Sequence, residues 1–152
     1  MSMTTNSGTT CCKSYDIALV LMRVIVGVIF MAHGSQKIFG AFGGPGLTAF
    51  VENMGSIGYL IAVGEFFGGA GIIVGFLARF SALSNIVIMI GAVAMVHWKN
   101  GFFGQNGGYE YNLALIGLLL PILIVGPGFY SIGRKLPLPK CAGSDYPICP
   151  LQ

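Results

Sequence analysis

Residues 57–78 read IGYLIAVGEFFGGAGIIVGFLA, a run of 22 residues with one charged side chain, Glu65. About 20 predominantly apolar residues cross the hydrocarbon core of a bilayer as a helix. The stretch therefore predicts a membrane-spanning helix, and that prediction decides the fold class. Glu65 is costly at such a depth, roughly 2.5 kcal/mol or more on insertion scales. Residues of this kind face a bundle interior or a wet cavity and are functional candidates by default.

Three further apolar runs flank it. Asp16–Phe39 contains Arg23, His33 and Lys37. Phe80–Trp98 is apolar except for Ser81, Ser84, Asn85 and His97, and Glu110–Tyr130 carries Pro121, which is expected to kink it. Only helices or closed barrels satisfy their backbone in lipid, and none of these runs alternates with the period of two that a barrel strand needs. The expected fold is all-α, an integral membrane four-helix bundle. Composition agrees: the 152 residues are 55% hydrophobic and 9% charged, with mean hydropathy +0.80, against about 25% charged in soluble domains. A net charge of +3 without a basic stripe argues against nucleic-acid binding.

The chain divides into a polar N-terminal tail (1–15), the four-helix domain (16–133) and a proline- and cysteine-containing C-terminal tail (134–152). The opening MSMTTNSGTTCCKSY carries one cation, Lys13, and lacks the short apolar core and cleavage site of a signal peptide. The first span is thus expected to be retained. Lys13, Arg79, Arg134, Lys135 and Lys140 lie in the tails or the short link near Arg79, and Lys37 and Lys99 lie opposite. That bias predicts both termini in the cytoplasm. Cys11, Cys12, Cys141 and Cys149 then default to free thiols, since their spacing matches no strong zinc pattern. Between the spans, Gly40–Ser56 is glycine-rich and could hold a short interfacial helix near Leu47–Met54. The link at Arg79 predicts a tight hairpin.

A rise of about 1.5 Å per residue converts position to depth. Counted from the cytoplasmic end, Glu65 lies about 21 Å up, His33 and His97 about 25 Å, Lys37 about 31 Å and Glu110 about 33 Å. Arg23 lies lower, about 10 Å up, yet its long side chain could reach toward Glu65. One reading is structural: Glu65 neutralises Arg23 or Lys37 and holds the bundle together. The other is functional: His33, Glu65, His97 and Glu110 line an outward-facing pocket for a small redox ligand such as a quinone, with carboxylate and imidazole moving protons. A metal held by His33, His97 and a glutamate is a sharper version. Each histidine also has a plain explanation. His33 could donate to a backbone carbonyl, and His97 beside Trp98 suits an interfacial belt. Gly64-x3-Gly68 and Gly71-x3-Gly75 favour close helix approach within the bundle or in a homo-oligomer.

Four segments in order carry a family resemblance. Arg23-x3-Gly27-x2-Phe30-x2-His33-Gly34-x2-Lys37-x-Phe39-Gly40 resembles the first helix of the DoxX family, and Glu65-x2-Gly68-Gly69-x4-Val74-Gly75-x3-Arg79 its second. Asn100-Gly101-Phe102-Phe103 with Gly107-Gly108-Tyr109-Glu110-Tyr111-Asn112 resembles its third loop, and Gly126-Pro127-Gly128-x2-Ser131 its end. The resemblance covers about residues 16–133 and implies a four-helix, multi-pass protein of the prokaryotic inner membrane. It also implies association with quinol oxidase, thiosulfate:quinone oxidoreductase or thiol-stress complexes, hence with respiratory or sulfur metabolism. No catalytic mechanism carries over with it.

The expectation is a membrane subunit of a quinone-linked oxidoreductase. Glu65 and His33 would be catalytic, and Arg23, Lys37, His97, Tyr109, Glu110 and Asn112 would bind the cofactor. Quinone or quinol is the expected cofactor, with metal or haem left open, and the expected partners are the lipid bilayer and other subunits of a membrane redox complex. A non-catalytic scaffold or assembly subunit is the alternative, and a small-solute transporter a weaker one.

Overall fold

The computed structural model describes residues 7–134, with side chains over 14–133. The expectations for the four cysteines and for the C-terminal tail fall outside those side chains. Five α-helices follow in order: α1 (Ser7–Phe39), α2 (Gly46–Met54), α3 (Ile57–Val74), α4 (Ala78–Ala92) and α5 (Glu110–Val125). Helices α1, α3, α4 and α5 form the bundle, and α2 is the expected short helix between the first two spans. No strand occurs among the described residues. Three stretches, 14–39, 57–74 and 78–100, are long and apolar enough to cross a membrane, and α5 is a shorter apolar helix of 16 residues. The bundle has a loop end, holding residues 40–56 and 98–109, and a tail end, holding the 75–77 turn and residues 126–134.

The helix limits differ from the expected spans for local reasons. Helix α1 starts at Ser7, so the polar segment before Asp16 extends the helix. Helix α3 stops at Val74 because Gly75 adopts φ 72° and ψ 26°, a left-handed conformation that glycine takes without a Cβ penalty. The Gly75 N–H returns to Ile72 O and the Phe76 N–H to Gly71 O (3.3 and 3.0 Å), which closes the helix with paired carbonyls. Leu77, at φ 47°, completes the turn into α4, giving the expected hairpin. Helix α4 continues past Ala92 as a π-helical turn over Val93–His97, then a 3-10 turn. Helix α5 ends at Val125 rather than near Tyr130, because Gly126 leaves helical space at φ 98° and Pro127 has no N–H to offer. Arg79 donates to the freed carbonyls of Ile124 and Val125 (3.3 and 3.1 Å).

Helix α1 packs most extensively on α3, α3 and α5 flank α4, and α1 meets α5 more lightly. Glycine makes the first contact possible. A Cβ on Gly69 would lie 2.7 Å from Gly27 O and 2.8 Å from Met31 N, and one on Gly34 would lie 2.5 Å from Phe66 N. The backbones therefore touch at two levels. Gly64, Gly68 and Gly71 face α4 instead, so the glycine spacing serves packing inside the chain. The apolar core between the helices includes Val26, Phe30, Ile72, Ile86, Leu119 and Ile122. Gly69→Val is expected to cost about 1–3 kcal/mol or more, because the atoms it would strike are backbone. Resistance to detergent unfolding checks this, and an unchanged midpoint would refute the close-approach account.

Candidate functional site

Helix α1 buries one stripe, Leu19, Arg23, Val26 and Phe30, at helical spacing. Continuing that stripe brings Lys37, in the last turn of α1, to the bundle side. Glu65, eight residues into α3 and 2% exposed, is its ion-pair partner across the α1–α3 contact. The Lys37 side chain is 21% exposed, so the pair has one buried and one reachable member. Phe50 of α2 places its ring 5.4 Å from Lys37 Nζ, a cation–π contact. The interfacial helix is thereby laid over the ammonium.

His33, one turn before Lys37, is exposed and meets Tyr111 of α5 edge-on, with ring centroids 6.1 Å apart. Tyr111 is itself 47% exposed. An imidazole and a phenol thus stand at the lightly packed α1–α5 seam, on the same end of α1 as the buried pair. Together, Lys37, Glu65, His33 and Tyr111 provide donors, an acceptor and two groups able to exchange protons.

The remaining candidates go elsewhere. Arg23 does not hold Glu65. It sits at the tail end, 2% exposed, with Nε donating to Ile72 O (2.9 Å), Nη2 to Ile73 O (2.7 Å) and Nη1 to Pro127 O and Tyr130 O (2.9 Å to the latter). Four helix-terminal and loop carbonyls converge on it. His97 Nδ1 lies 2.7 Å from Gly107 O, and Asn100 donates to the same carbonyl (3.2 Å), so His97 ties the glycine-rich loop. Tyr109 stacks on Trp98, with ring centroids 5.7 Å apart and planes at 15°. Glu110 packs against Gly104 in that loop. Asn112 is buried and donates to Met89 Sδ (3.5 Å). Among the described residues no three His, Cys, Asp or Glu side chains form a group able to hold a metal ion. The His33–His97–glutamate site is therefore not assembled.

A second feature lies at the loop end between α4 and α5. A groove of about 510 Å³ is lined by Ile90, Val93, Ala94, Leu113 and Ile116 with Trp98 and Tyr109. Its lining is mainly apolar, and its volume is within the size range of small-ligand sites. Phe50 and Tyr111 carry no distinctive spacing of their own. Tyr111 was signalled only by its place in the Tyr109-Glu110-Tyr111-Asn112 segment.

The DoxX family profile matches residues 18–98. The chain is 34% identical over 116 residues to the Bacillus subtilis (strain 168) protein named "Putative oxidoreductase CatD", covering 72% of this chain and 81% of that one. It is 33% identical over 128 residues to the inner membrane protein YqjF of Escherichia coli (strain K12), covering 82% and 95%. No solved structure matches it. With its helical bundle, its apolar spans and these relatives, the chain is a multi-pass protein of the cell membrane and belongs to the DoxX family.

Proposed function

We propose that the chain is the membrane subunit of a quinone-linked oxidoreductase in a respiratory or thiol-oxidative-stress complex, working with other subunits. The observation that carries this reading is the buried Lys37–Glu65 pair beside the exposed His33–Tyr111 edge. Quinone carbonyls need hydrogen-bond donors at headgroup depth and a source of protons as they gain electrons. His33, Tyr111 and Lys37 supply donors, and Glu65 supplies a carboxylate that takes up and releases a proton against Lys37. His33 and Tyr111 are exposed at the α1–α5 seam, so a membrane-soluble ligand would meet them from the bilayer, and a relative named as an oxidoreductase supports redox chemistry. Electrons would come from a partner subunit.

A short-chain quinone titrated into the purified full chain in native-lipid nanodiscs tests this. His33→Ala, at an exposed position, is expected to weaken binding about tenfold, some 1.4 kcal/mol. Tyr130→Phe, an exposed side chain at the other end, is expected to leave it unchanged. Absence of quinone binding in native lipid with partners present would overturn the reading. One observation favours a scaffold instead: Lys37 and Glu65 satisfy each other, as a purely structural pair would. That alternative predicts a stable partner complex whose turnover survives Glu65→Gln.

A further inference from the structure

The face of α3 that carries Gly64, Gly68, Gly71 and Gly75 meets polar groups along its length, with the Ile88 side chain also packed on Gly64. A Cβ on Gly64 would lie 3.8 Å from Ser84 Oγ, and one on Gly71 would lie 2.6 Å from Ser81 Oγ. Gly68 abuts the Asn85 amide, and Gly75 abuts Ser131 and the Arg23 guanidinium. Ser81, Ser84 and Asn85 are the polar residues of α4 beyond its first turn. All three therefore contribute to a polar seam through the apolar bundle, running from the level of Glu65 to the tail end.

Asn85 makes this seam more than helix glue. It is 0% exposed, and its Nδ2 donates to Ser81 O (2.9 Å). Its Oδ1 is the one buried side-chain polar atom among the described residues with no hydrogen-bond partner. Leaving a buried acceptor unpaired costs about 1–3 kcal/mol. Turning the amide over does not help, because it sets Oδ1 against the Ser81 carbonyl and orphans Nδ2. A purely structural amide between helices would use both ends. The acceptor asks for a donor small enough to fit between glycine and serine side chains, and water is such a donor.

We propose that the α3–α4 seam binds water at Asn85 Oδ1 and that this water links Glu65 to the tail end of the bundle for proton exchange. Gly68, which abuts the Asn85 amide with Oδ1 the farther end, lies one turn from Glu65 on α3, about 5–6 Å between Cβ positions, a distance that one or two waters would bridge. A hydronium here passes its proton to a Glu65 carboxylate oxygen: one O–H bond breaks, one forms, water remains and no electron moves. The link rests on the reading of Glu65 as the proton-handling group. It adds the side from which the proton comes, the face opposite the His33–Tyr111 edge.

Water-edited solid-state NMR on the isotopically labelled full chain in lipid bilayers, with no quinone added, tests both parts. Magnetisation transfer from water to the Asn85 side chain is expected to be several-fold faster than to buried Leu119 and to approach that of exposed Asn106. Transfer as slow as at Leu119 would overturn the water site, and this measurement needs no variant to fold. In Asn85→Leu, transfer to Ser81 and Glu65 is expected to fall several-fold while Asn100 in the loop is unaffected. Unchanged transfer to Glu65 would overturn the link. A wet Asn85 in a protein that binds no quinone would uphold the site and sink the quinone reading, and a dry Asn85 in a quinone-binding protein would do the reverse.

Discussion

Lys37→Met is expected to destabilise the bundle by about 3–5 kcal/mol, the range for orphaning a buried ion. Glu65, at 2% exposure, has too short a side chain to carry its carboxylate to the headgroups once its partner is gone, so its charge is left uncompensated inside the bundle. The partner variant, Glu65→Leu, is expected to cost less. Lys37 is 21% exposed at the last turn of α1, and its long stem can carry the ammonium toward the headgroups. The double variant Lys37→Met/Glu65→Leu removes both charges and is expected to recover most of the loss, since apolar replacement of an intact buried pair is often neutral or stabilising. Detergent- or denaturant-induced unfolding of the three variants gives the cycle. Single variants within about 0.5 kcal/mol of the parent, the range of an inconsequential surface change, would show that the pair is not buried as described.

The second large effect belongs to Arg23. Its guanidinium closes the tail end by donating to Ile72, Ile73, Pro127 and Tyr130 carbonyls, so α1, the end of α3 and the segment after α5 share one side chain. Hydrogen bonds to a charged group contribute about 1.5–3 kcal/mol each. Arg23→Met is therefore expected to cost at least about 3 kcal/mol and to expose residues 126–131 to protease, although Asp16 still accepts from Phe129 N–H at 3.0 Å. Arg23→Lys should rescue only part of this, because an ammonium is a point donor and cannot serve carbonyls on several sides at once. Full rescue by lysine would mean that charge, rather than the planar fork, does the holding.

The two variants also show how much the sequence made legible. Helix number, the hairpin at Arg79 and the short helix before α3 follow from run length, glycine and polarity. Depth follows from rise per residue, but it set Glu65 about 21 Å and Lys37 about 31 Å up, a gap that the long Lys37 side chain closes to form the ion pair. Rotation about each helix axis does not follow from these short, nearly uniform apolar runs. For that reason His97, estimated at much the same depth as Glu65, bonds instead to Gly107, and Asn112, expected to bind the cofactor, donates to Met89. Arg23 escaped for another reason: its partners are backbone carbonyls, which every residue possesses and no motif marks. Phe50 and Tyr111 joined the site through a helix packed over the end and a seam between non-consecutive helices, neither of which has a local signature.

The early stop of α5 reaches beyond the protein. Sixteen residues rise about 24 Å, while a hydrocarbon core is about 30 Å thick. On the sides of the bundle built by α1 and α4 the apolar span matches the membrane, and on the α5 side it falls short. Aromatic rings mark both borders of that short side, Trp98 and Tyr109 at one end and Phe129 and Tyr130 at the other, and rings of this kind settle at the headgroup level. Hydrophobic mismatch of this one-sided sort is met by thinning the adjacent lipid, at fractions of a kcal/mol per ångström. An asymmetric lipid collar, thinner beside α5 than elsewhere, is the expected consequence, and an apposed protein surface on that flank would relieve the mismatch.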